Sequence, residues 1–446
     1  MTNLAWLKLL PPFLRARVEG SVPLQRSINN SGWLFFDHII RIVVGFILGI
    51  WIARYLGPAN LGLLDYSIAF CSLFTALASL GLGGIVVREL VREPDQREEI
   101  LASAFAMLAV AGVITFLLAV ATIRSLRQED FEVQMLVAIV AGGLIFQAFT
   151  VAEFWFKALV QSRYTVYARS AAFLILSLVK VILLLSGAPL IYFALAVLAE
   201  IALGAVLLFL VFRARGYRLR PGKANTSRCK SLLKDSWPAI ISCLSIALFM
   251  KIDMVMLGEM TDNATVGIYS AASRVSMIWY FLPGIIVSSV FPFIIEVKAD
   301  NQELYTRRVA QLFSLMTILA LPIIILTMIF SDALVGLLYG TPYAAAGPVL
   351  AIHIMGCWFV FLGQAQEPWD VAENLLRLAM FRTASGALIN IILNLLFIPQ
   401  YAAIGAAVAS VLSLFIAGIL LNLVSKKTRP VFFLQMKSLF FVRFLK

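Results

Sequence analysis

Three ionisable side chains stand close together in a segment that is otherwise almost entirely apolar. The segment SGWLFFDHIIRIVVGFILGIWIARYLG covers residues 31–57, and Asp37, His38 and Arg41 lie in its first third. On an α-helix, Asp37 and Arg41 are one turn apart and share a face. A carboxylate and a guanidinium at this spacing can pair with each other, bind an anion or line a polar lumen.

Two interpretations of this helix are open. In one, Asp37 and Arg41 pair near the lipid headgroups, and Arg41 snorkels to the interface. In the other, the helix faces a polar lumen, because the same stripe continues with the small residues Gly45, Gly49 and Ala53. Small residues permit close helix approach or leave space for a cavity.

Further charges lie within other apolar runs, at Lys180, Glu200, Lys251, Asp253 and Arg274. A charge at mid-membrane costs about 2.5–3.5 kcal/mol on insertion scales, so these side chains should point inward. We expect a positive central cavity in which Arg41, Lys251, Arg274, Asp37 and Asp253 contact the substrate. The alternative is a set of internal salt bridges, with Asp253 and Glu200 as the acidic members.

Three polar side chains outside the expected substrate-binding set could couple an ion or pair internally. They are Lys180, Glu200 and His353, although a lone buried His is more often a hydrogen-bonded core residue than a proton relay. Pro283 and Gly284 form the best hinge candidate, because proline removes one backbone hydrogen bond of a helix.

The composition predicts the elements that must position these charges. The chain has 446 residues, of which 61% are hydrophobic and 13% charged, and its mean hydropathy is +0.94. Such a chain is a multi-pass membrane protein, all-α because lipid cannot satisfy unpaired backbone groups. We predict twelve spans, at 33–55, 63–84, 100–122, 133–155, 165–186, 189–212, 237–257, 270–295, 309–330, 344–365, 378–398 and 402–424.

The basic residues predict the orientation. The formal net charge is +12, and most Lys and Arg side chains lie in alternate connections, while the opposite face holds only Arg54, Arg124 and Arg127. Both termini should therefore be cytoplasmic. Anionic lipid is a better partner for these charges than nucleic acid. We expect no cleavable signal peptide.

The two halves of the chain resemble each other. YLGPANLGLLDYSIA (55–69) resembles MLGEMTDNATVGIYSAA (256–272), and a second pair of similar segments follows in each half. Repeats with an even number of spans run in the same direction, which is a transporter architecture. The predicted organisation is a cytoplasmic amphipathic N-terminus (1–32), an N-lobe (33–212), a basic cytoplasmic linker (213–236), a C-lobe (237–424) and a basic interfacial tail (425–446).

The sequence contains no motif for bond-making chemistry. There is no Walker A loop, no HExxH, no GxSxG and no GxGxxG at a strand–helix turn. With only two His and four scattered Cys, neither a metal site nor a disulfide framework is indicated. We therefore expect no enzyme activity and no cofactor, and any transport energy should come from an H⁺ or Na⁺ gradient.

Several quoted segments resemble the Wzx-type polysaccharide flippases of the multidrug/oligosaccharidyl-lipid/polysaccharide exporter superfamily. These are GWLFFDHIIRIVVGFILGIWIARYLGP, LGLLDYSIAFCSLFTALASLGLGGIVVREL, LLYGTPYAAAGPVLAIH and LINIILNLLFIPQYAAIGAAVAS. The resemblance covers almost the whole chain. It marks the superfamily more specifically than the substrate.

The resemblance implies a fold and a function. Two six-helix lobes would form a V that opens to either side of the bacterial inner membrane in turn. The substrate would be an undecaprenyl-diphosphate-linked oligosaccharide for surface polysaccharide such as O-antigen or exopolysaccharide, with a polymerase or export machinery as a further partner. Arg41, Lys251 and Arg274 would contact the diphosphate or the sugars. Asp37 and Asp253 would tune these charges or couple an ion.

Three other functions remain open at this stage. One is export of drugs or peptidoglycan precursors within the same superfamily, although peptidoglycan-precursor flippases typically carry two further helices. Another is a membrane enzyme such as a polysaccharide polymerase, which should show a large external loop. The third is a non-catalytic scaffold, against which the buried charges argue.

Overall fold

A computed structural model describes residues 22–439 of the chain, with side chains from residue 38 onward. Most of the predicted amphipathic N-terminus, the side chain of Asp37 and the last residues of the predicted tail lie outside this description. Within residues 22–439 every regular element is a helix.

The helices follow one another with short connections. The α-helices are α1 Val22–Ala78, α2 Leu82–Arg92, α3 Arg97–Leu126, α4 Phe131–Ala141, α5 Val151–Ala158, α6 Arg163–Leu185, α7 Leu190–Ala214, α8 Thr226–Met260, α9 Asn263–Met277, α10 Phe281–Asp300, α11 Gln302–Ile329, α12 Ser331–Tyr339, α13 Ala346–His353, α14 Gly356–Ala372, α15 Leu376–Gly418 and α16 Arg429–Ser438. Short 3₁₀ segments occur at Pro94–Gln96, Gly142–Thr150, Pro221–Lys223, Ile278–Tyr280, Thr341–Tyr343 and Leu420–Leu423.

The described residues cross a membrane thickness twelve times, as predicted. Ten helical stretches are long and apolar enough to span. Two of them, His38–Arg92 and Leu376–Leu423, are 55 and 48 residues long, which is enough for two crossings each. The first is broken at Gly57, whose φ is 71°, and the second at Ala402, whose φ is 47°. Each of these two breaks marks the point where one crossing ends and the next begins.

The breaks and connections define two faces of the molecule. We call the face that carries the turns at 57–60, 127–130, 186–189, 261–262 and 330–345 the distal face. The opposite, proximal face carries the connections at 93–96, 159–162, 215–225 and 373–375. The basic residues of the connections cluster on the proximal face. The positive-inside rule therefore makes this the cytoplasmic face in our prediction.

Helices α1 and α9 form the most extensive contact in the molecule and join the first half (22–214) to the second half (226–439). A Cβ added at Gly62 would overlap the carbonyl oxygen of Asn263, and one added at Gly267 would overlap that of Pro58. The two contacts are equivalent when the halves are exchanged. This symmetry is what a parallel repeat produces, and it requires glycine because the two backbones touch.

The apolar core joins the two halves only toward the distal face. One buried cluster contains residues of both halves, among them Leu48, Tyr66, Tyr269 and Val349. The other two clusters belong to the first half and the second half separately, apart from Leu232 near the start of α8. The halves therefore share one apolar core distally, whereas toward the proximal face each half has its own core and the start of α8 packs on the first half.

The remaining segments are fastened to one half each. The connection 215–225 and the start of α8 are held against the first half by ion pairs, including Arg228 with Glu93 at 2.6 Å and Lys223 with Glu98 at 2.5 Å. Helix α16 lies on the second half and buries Val431 there. The part of the predicted tail that is described is thus a helix with one buried side.

Candidate functional site

A charged cluster lies where the two halves meet. Arg274 of α9 donates to Asp65 of α1 across 2.8 Å, and the Ser270 hydroxyl donates to the same carboxylate. Lys251 of α8 is within electrostatic range of both charges. Gly49 leaves room for the guanidinium, because a Cβ there would lie 2.7 Å from Arg274 Nη1. The cluster therefore holds two cations around one carboxylate.

A second set of contacts closes the molecule on the distal side of this cluster. Arg127 pairs with Glu259 at 3.1 Å and donates to the Gly258 carbonyl. The Tyr66 hydroxyl donates to the same Glu259 carboxylate. Because Arg127 and Tyr66 belong to the first half and Glu259 to the second, these bonds hold the halves together.

Side-chain to backbone bonds extend this closure. Arg54 Nε donates to the Leu338 carbonyl at 2.7 Å, and the Tyr343 hydroxyl donates to the Ala53 carbonyl at 2.8 Å. Burial raises the pKa of Tyr339 to about 12, and burial also raises the pKa of Tyr343. Both phenols are therefore neutral at physiological pH, and the Tyr343 hydroxyl acts as a donor. Arg54 and Arg127, two of the few basic residues of the distal face, thus serve the contact between halves.

Asp253 lies apart from the charged cluster, buried in the second half. Its carboxylate accepts from the Tyr269 hydroxyl at 2.7 Å, from Asn394 Nδ2 at 2.6 Å and from the Ser410 hydroxyl. Asn394 Nδ2 also donates to Asn390 Oδ1 at 3.1 Å. These donors come from α9 and α15 and compensate the desolvation of a buried carboxylate.

His353 adjoins the Asp253 network. Its Nδ1 is 2.6 Å from the Ser276 hydroxyl, and its ring meets Tyr269 edge-on with the centroids 5.7 Å apart. The side chain is buried. This geometry fits a hydrogen-bonded core histidine, and a role in ion coupling stays a prediction.

The remaining predicted charges lie within the first half. Lys180 and Glu200 form an ion pair of 2.7 Å between α6 and α7, which matches the internal-pairing alternative. Arg41 lies over the Phe173 ring, 5.0 Å from its centroid, and lines a cavity of about 230 Å³ that Glu200 also lines. Arg41 therefore faces helices of its own half.

The proposed hinge coincides with an irregular stretch of backbone. Helix α9 ends at Met277, and a 3₁₀ turn at Ile278–Tyr280 precedes α10, in whose first turn Pro283 lies. A proline ring clashes with the carbonyl four residues earlier, which accounts for the interruption. Whether the chain bends here remains a prediction.

Among the predicted substrate-binding residues whose side chains the structure describes, Lys251 and Arg274 lie together, Arg41 lies within the first half and Asp253 within the second. Sequence reasoning missed Asp65, because it lies at the start of the predicted span 63–84, where a charge costs little. The break at Gly57 sets Asp65 two turns inside the second crossing. The signal that could have found it was the need of Arg274 for a carboxylate partner.

The arrangement at the junction holds charge. Among residues 22–439, no three His, Cys, Asp or Glu side chains come together as a metal site. The junction of the two halves, which have separate proximal cores, holds two cations and the Asp65 carboxylate. Such a site can bind an anionic group and change its pairing when the halves move.

Comparison with known proteins gives a family match and relatives among curated proteins. A family model described as polysaccharide biosynthesis protein matches residues 27–298. The probable low-salt glycan biosynthesis flippase Agl15 of Haloferax volcanii is 26% identical over 196 residues, which are 43% of this chain. The aligned part spans only 41% of that relative.

Solved structures share the fold over almost the full chain. A lipid II flippase MurJ in an inward closed conformation superposes with a TM-score of 0.72 at 16% identity, covering 94% of this chain and 92% of that one. An inward-facing multidrug resistance MATE transporter of the MOP superfamily gives 0.71 at 15% identity, covering 89% and 96%. The all-helical, two-lobed transporter fold is thereby established.

Proposed function

Because the chain belongs to the polysaccharide biosynthesis protein family, whose model covers residues 27–298, we propose that it is a flippase for lipid-linked oligosaccharide. This membership agrees with the resemblance seen in the sequence. The proposed substrate is an undecaprenyl-diphosphate-linked glycan for surface polysaccharide. The proposed location is the bacterial inner membrane, with both termini cytoplasmic and the proximal face toward the cytosol.

The observation that carries this proposal is the asymmetric junction of the two halves. They share an apolar core distally, and the Asp65–Arg274 pair lies at that junction. Toward the proximal face each half has its own core. We propose that a cleft between the two proximal cores leads to this cationic cluster and admits an anionic headgroup from the proximal side.

The physics of the substrate requires such a cleft. Each sugar hydroxyl without a hydrogen-bond partner costs several kcal/mol in hydrocarbon, so a glycan cannot cross the bilayer unaided. A polar passage removes this cost while the lipid tail stays in the bilayer. Arg274 and Lys251 are the natural ligands for the diphosphate, since guanidinium and ammonium groups bind phosphate oxygens strongly.

The ion pair at the junction suggests how binding and movement are coupled. In the closed distal state Arg274 is neutralised by Asp65. A diphosphate that competes for Arg274 weakens this bond between halves and favours distal opening. We assign the return step to a coupling ion, H⁺ or Na⁺, with Asp253 as the buried carboxylate that senses it. A gradient supplies about 2.3 kcal/mol per charge per 100 mV.

The test is translocation in reconstituted vesicles. A fluorescent undecaprenyl-diphosphate oligosaccharide is followed by its protection from an external glycan-trimming enzyme. Wild type should move it, Arg274→Gln and Lys251→Gln should slow movement at least about tenfold, and Arg308→Gln, remote from the junction, should not. Movement unaffected by either junction change would overturn the site assignment, and no movement under any ion gradient would overturn the flippase proposal.

A further inference from the structure

The cavity in the first half, here called the side cavity, is lined by charge that the junction does not explain. Its lining includes Arg41 of α1, Arg169 of α6, Glu200 of α7 and the segment 146–150. The four elements enclose it in the proximal half of the membrane. Its volume of about 230 Å³ is below the roughly 300–1,000 Å³ of sites for drug-sized ligands.

The charges around the side cavity do not balance. Arg169 pairs with Glu153 at 2.5 Å, and Lys157 pairs with the same carboxylate at 2.7 Å. Lys180 neutralises Glu200 at 2.7 Å. Two carboxylates therefore face three cations before Arg41 is counted. If the charge of Asp37, one turn before Arg41, is taken to cancel that of Arg41, these side chains still carry one excess positive charge.

The backbone beside the side cavity is also unusual. Gly142–Thr150 forms nine residues of 3₁₀-helix in the middle of a crossing, whereas such runs seldom exceed three or four residues and often mark functional positions. Side chains three apart are eclipsed in this helix. Gln147 and Thr150 therefore stand on one side, and both line the cavity.

We propose that the side cavity binds the phosphate-bearing headgroup of the lipid carrier. This inference rests on the proposed function, since it names a second station for the anionic part of the same substrate. Arg169 and Arg41 supply guanidinium groups, and Gln147 supplies an amide donor. The cavity is too small for an oligosaccharide, so the sugars stay outside it in the cleft.

The proposal predicts charge effects of opposite sign. Arg169→Gln removes a cation but leaves Lys157 to neutralise Glu153, so the fold should persist while anion affinity falls at least about tenfold. Glu200→Gln removes a carboxylate and frees Lys180, so anion affinity should rise several-fold. A purely structural role would weaken binding in both variants or in neither.

The experiment measures binding to the purified full-length chain in nanodiscs. All variants carry Arg274→Gln and Lys251→Gln, which removes the cations of the junction, and Arg308→Gln is the matched charge control. The probes are undecaprenyl diphosphate, undecaprenol without phosphate, and inorganic pyrophosphate. Thermal unfolding of each variant checks the fold.

Binding of undecaprenyl diphosphate with the predicted signs supports the proposal, and undecaprenol should not compete. If pyrophosphate also binds more weakly to Arg169→Gln and more tightly to Glu200→Gln, the cavity recognises the phosphate anion itself. If pyrophosphate does not bind, the cavity recognises the phosphate only as part of the lipid headgroup. Absent phosphate binding, or binding unchanged in both variants, overturns the proposal. If wild type translocates the substrate but the two variants show no change in binding, the flippase proposal stands and the side-cavity proposal fails. If the variants show the predicted binding changes but wild type translocates nothing, the side cavity binds phosphate and the flippase proposal fails.

Discussion

The pair Asp65–Arg274 offers the sharpest perturbation of the distal closure. Asp65→Asn leaves Arg274 with Lys251 nearby and no carboxylate partner. The nitrogen–oxygen distance is 2.8 Å, and the side chains are 28% and 11% exposed. At an effective dielectric constant of about 20, the Coulomb attraction at this distance is roughly 6 kcal/mol, before the desolvation cost of the two groups is subtracted. Breaking a buried pair on one side costs about 3–5 kcal/mol, so we expect the closed state to lose about 3 kcal/mol.

A loss of that size changes the open population measurably. Each 1.4 kcal/mol is a factor of ten, so about 3 kcal/mol multiplies the distally open fraction roughly a hundredfold. The reporter is Leu64→Cys, because Leu64 is only 5% exposed beside the pair. The native cysteines are first replaced in all variants. An impermeant maleimide added from the distal side should then label the cysteine at position 64 up to roughly a hundredfold faster in Asp65→Asn than in the parent.

The double variant decides between charge and packing. Asp65→Asn with Arg274→Gln leaves no unpaired cation from the pair, so its labelling rate should return most of the way to the parent rate. Arg308→Gln in the same background should not change the rate. Two results would show that charge pairing does not hold the distal side closed. One is a labelling rate in Asp65→Asn within about twofold of the parent rate. The other is a double variant that is labelled as fast as Asp65→Asn.

Three further predictions follow from the same geometry. Gly267→Val should keep the halves apart, because its side chain would overlap the Pro58 carbonyl, and distal labelling should rise without loss of the helical circular dichroism signal. Asp262→Ala should cost about 1 kcal/mol in thermal unfolding, because Asp262 caps α9 by accepting from Thr265 N at 2.9 Å. That bond lowers the pKa of Asp262. The cap therefore stabilises the fold at pH values above the ordinary pKa of a carboxyl group, and this stabilisation should be lost as the pH falls through the lowered pKa. An equal effect of Asp262→Ala on thermal unfolding at pH 3 and pH 7 would contradict this. Asp253→Asn should abolish the dependence of transport on the ion gradient while substrate binding persists, and unchanged gradient dependence would exclude Asp253 as the ion sensor.

Much of the fold could be predicted from the sequence because lipid imposes strong constraints. Apolar runs of bilayer length predict the twelve crossings, and the structure confirms them. The breaks at Gly57 and Ala402 were less accessible. Gly57 precedes a proline, which signals a turn, whereas a positive φ at an alanine in an apolar run has no local signal.

The site was only partly predictable, because pairing depends on packing. The cost of an intramembrane charge predicts that Lys180 and Glu200 point inward, and the structure shows them as an ion pair; a role in ion coupling stays a prediction. That same cost does not say which helix supplies a partner. Arg274 finds Asp65, which lies 209 positions away in the chain, and Arg41 faces its own half because of where α6 and α7 pack.

Transport of a lipid-linked oligosaccharide by this chain is tested by comparing substrates in one vesicle preparation. The initial translocation rates of undecaprenyl-diphosphate oligosaccharide, a lipid-linked peptidoglycan precursor and a cationic dye are measured with wild type and with protein-free vesicles. The oligosaccharide should move well above the rate in protein-free vesicles. The cationic dye should move little, because the cations of the junction repel it. Movement of the dye at a rate equal to or above that of the oligosaccharide would contradict the proposed function.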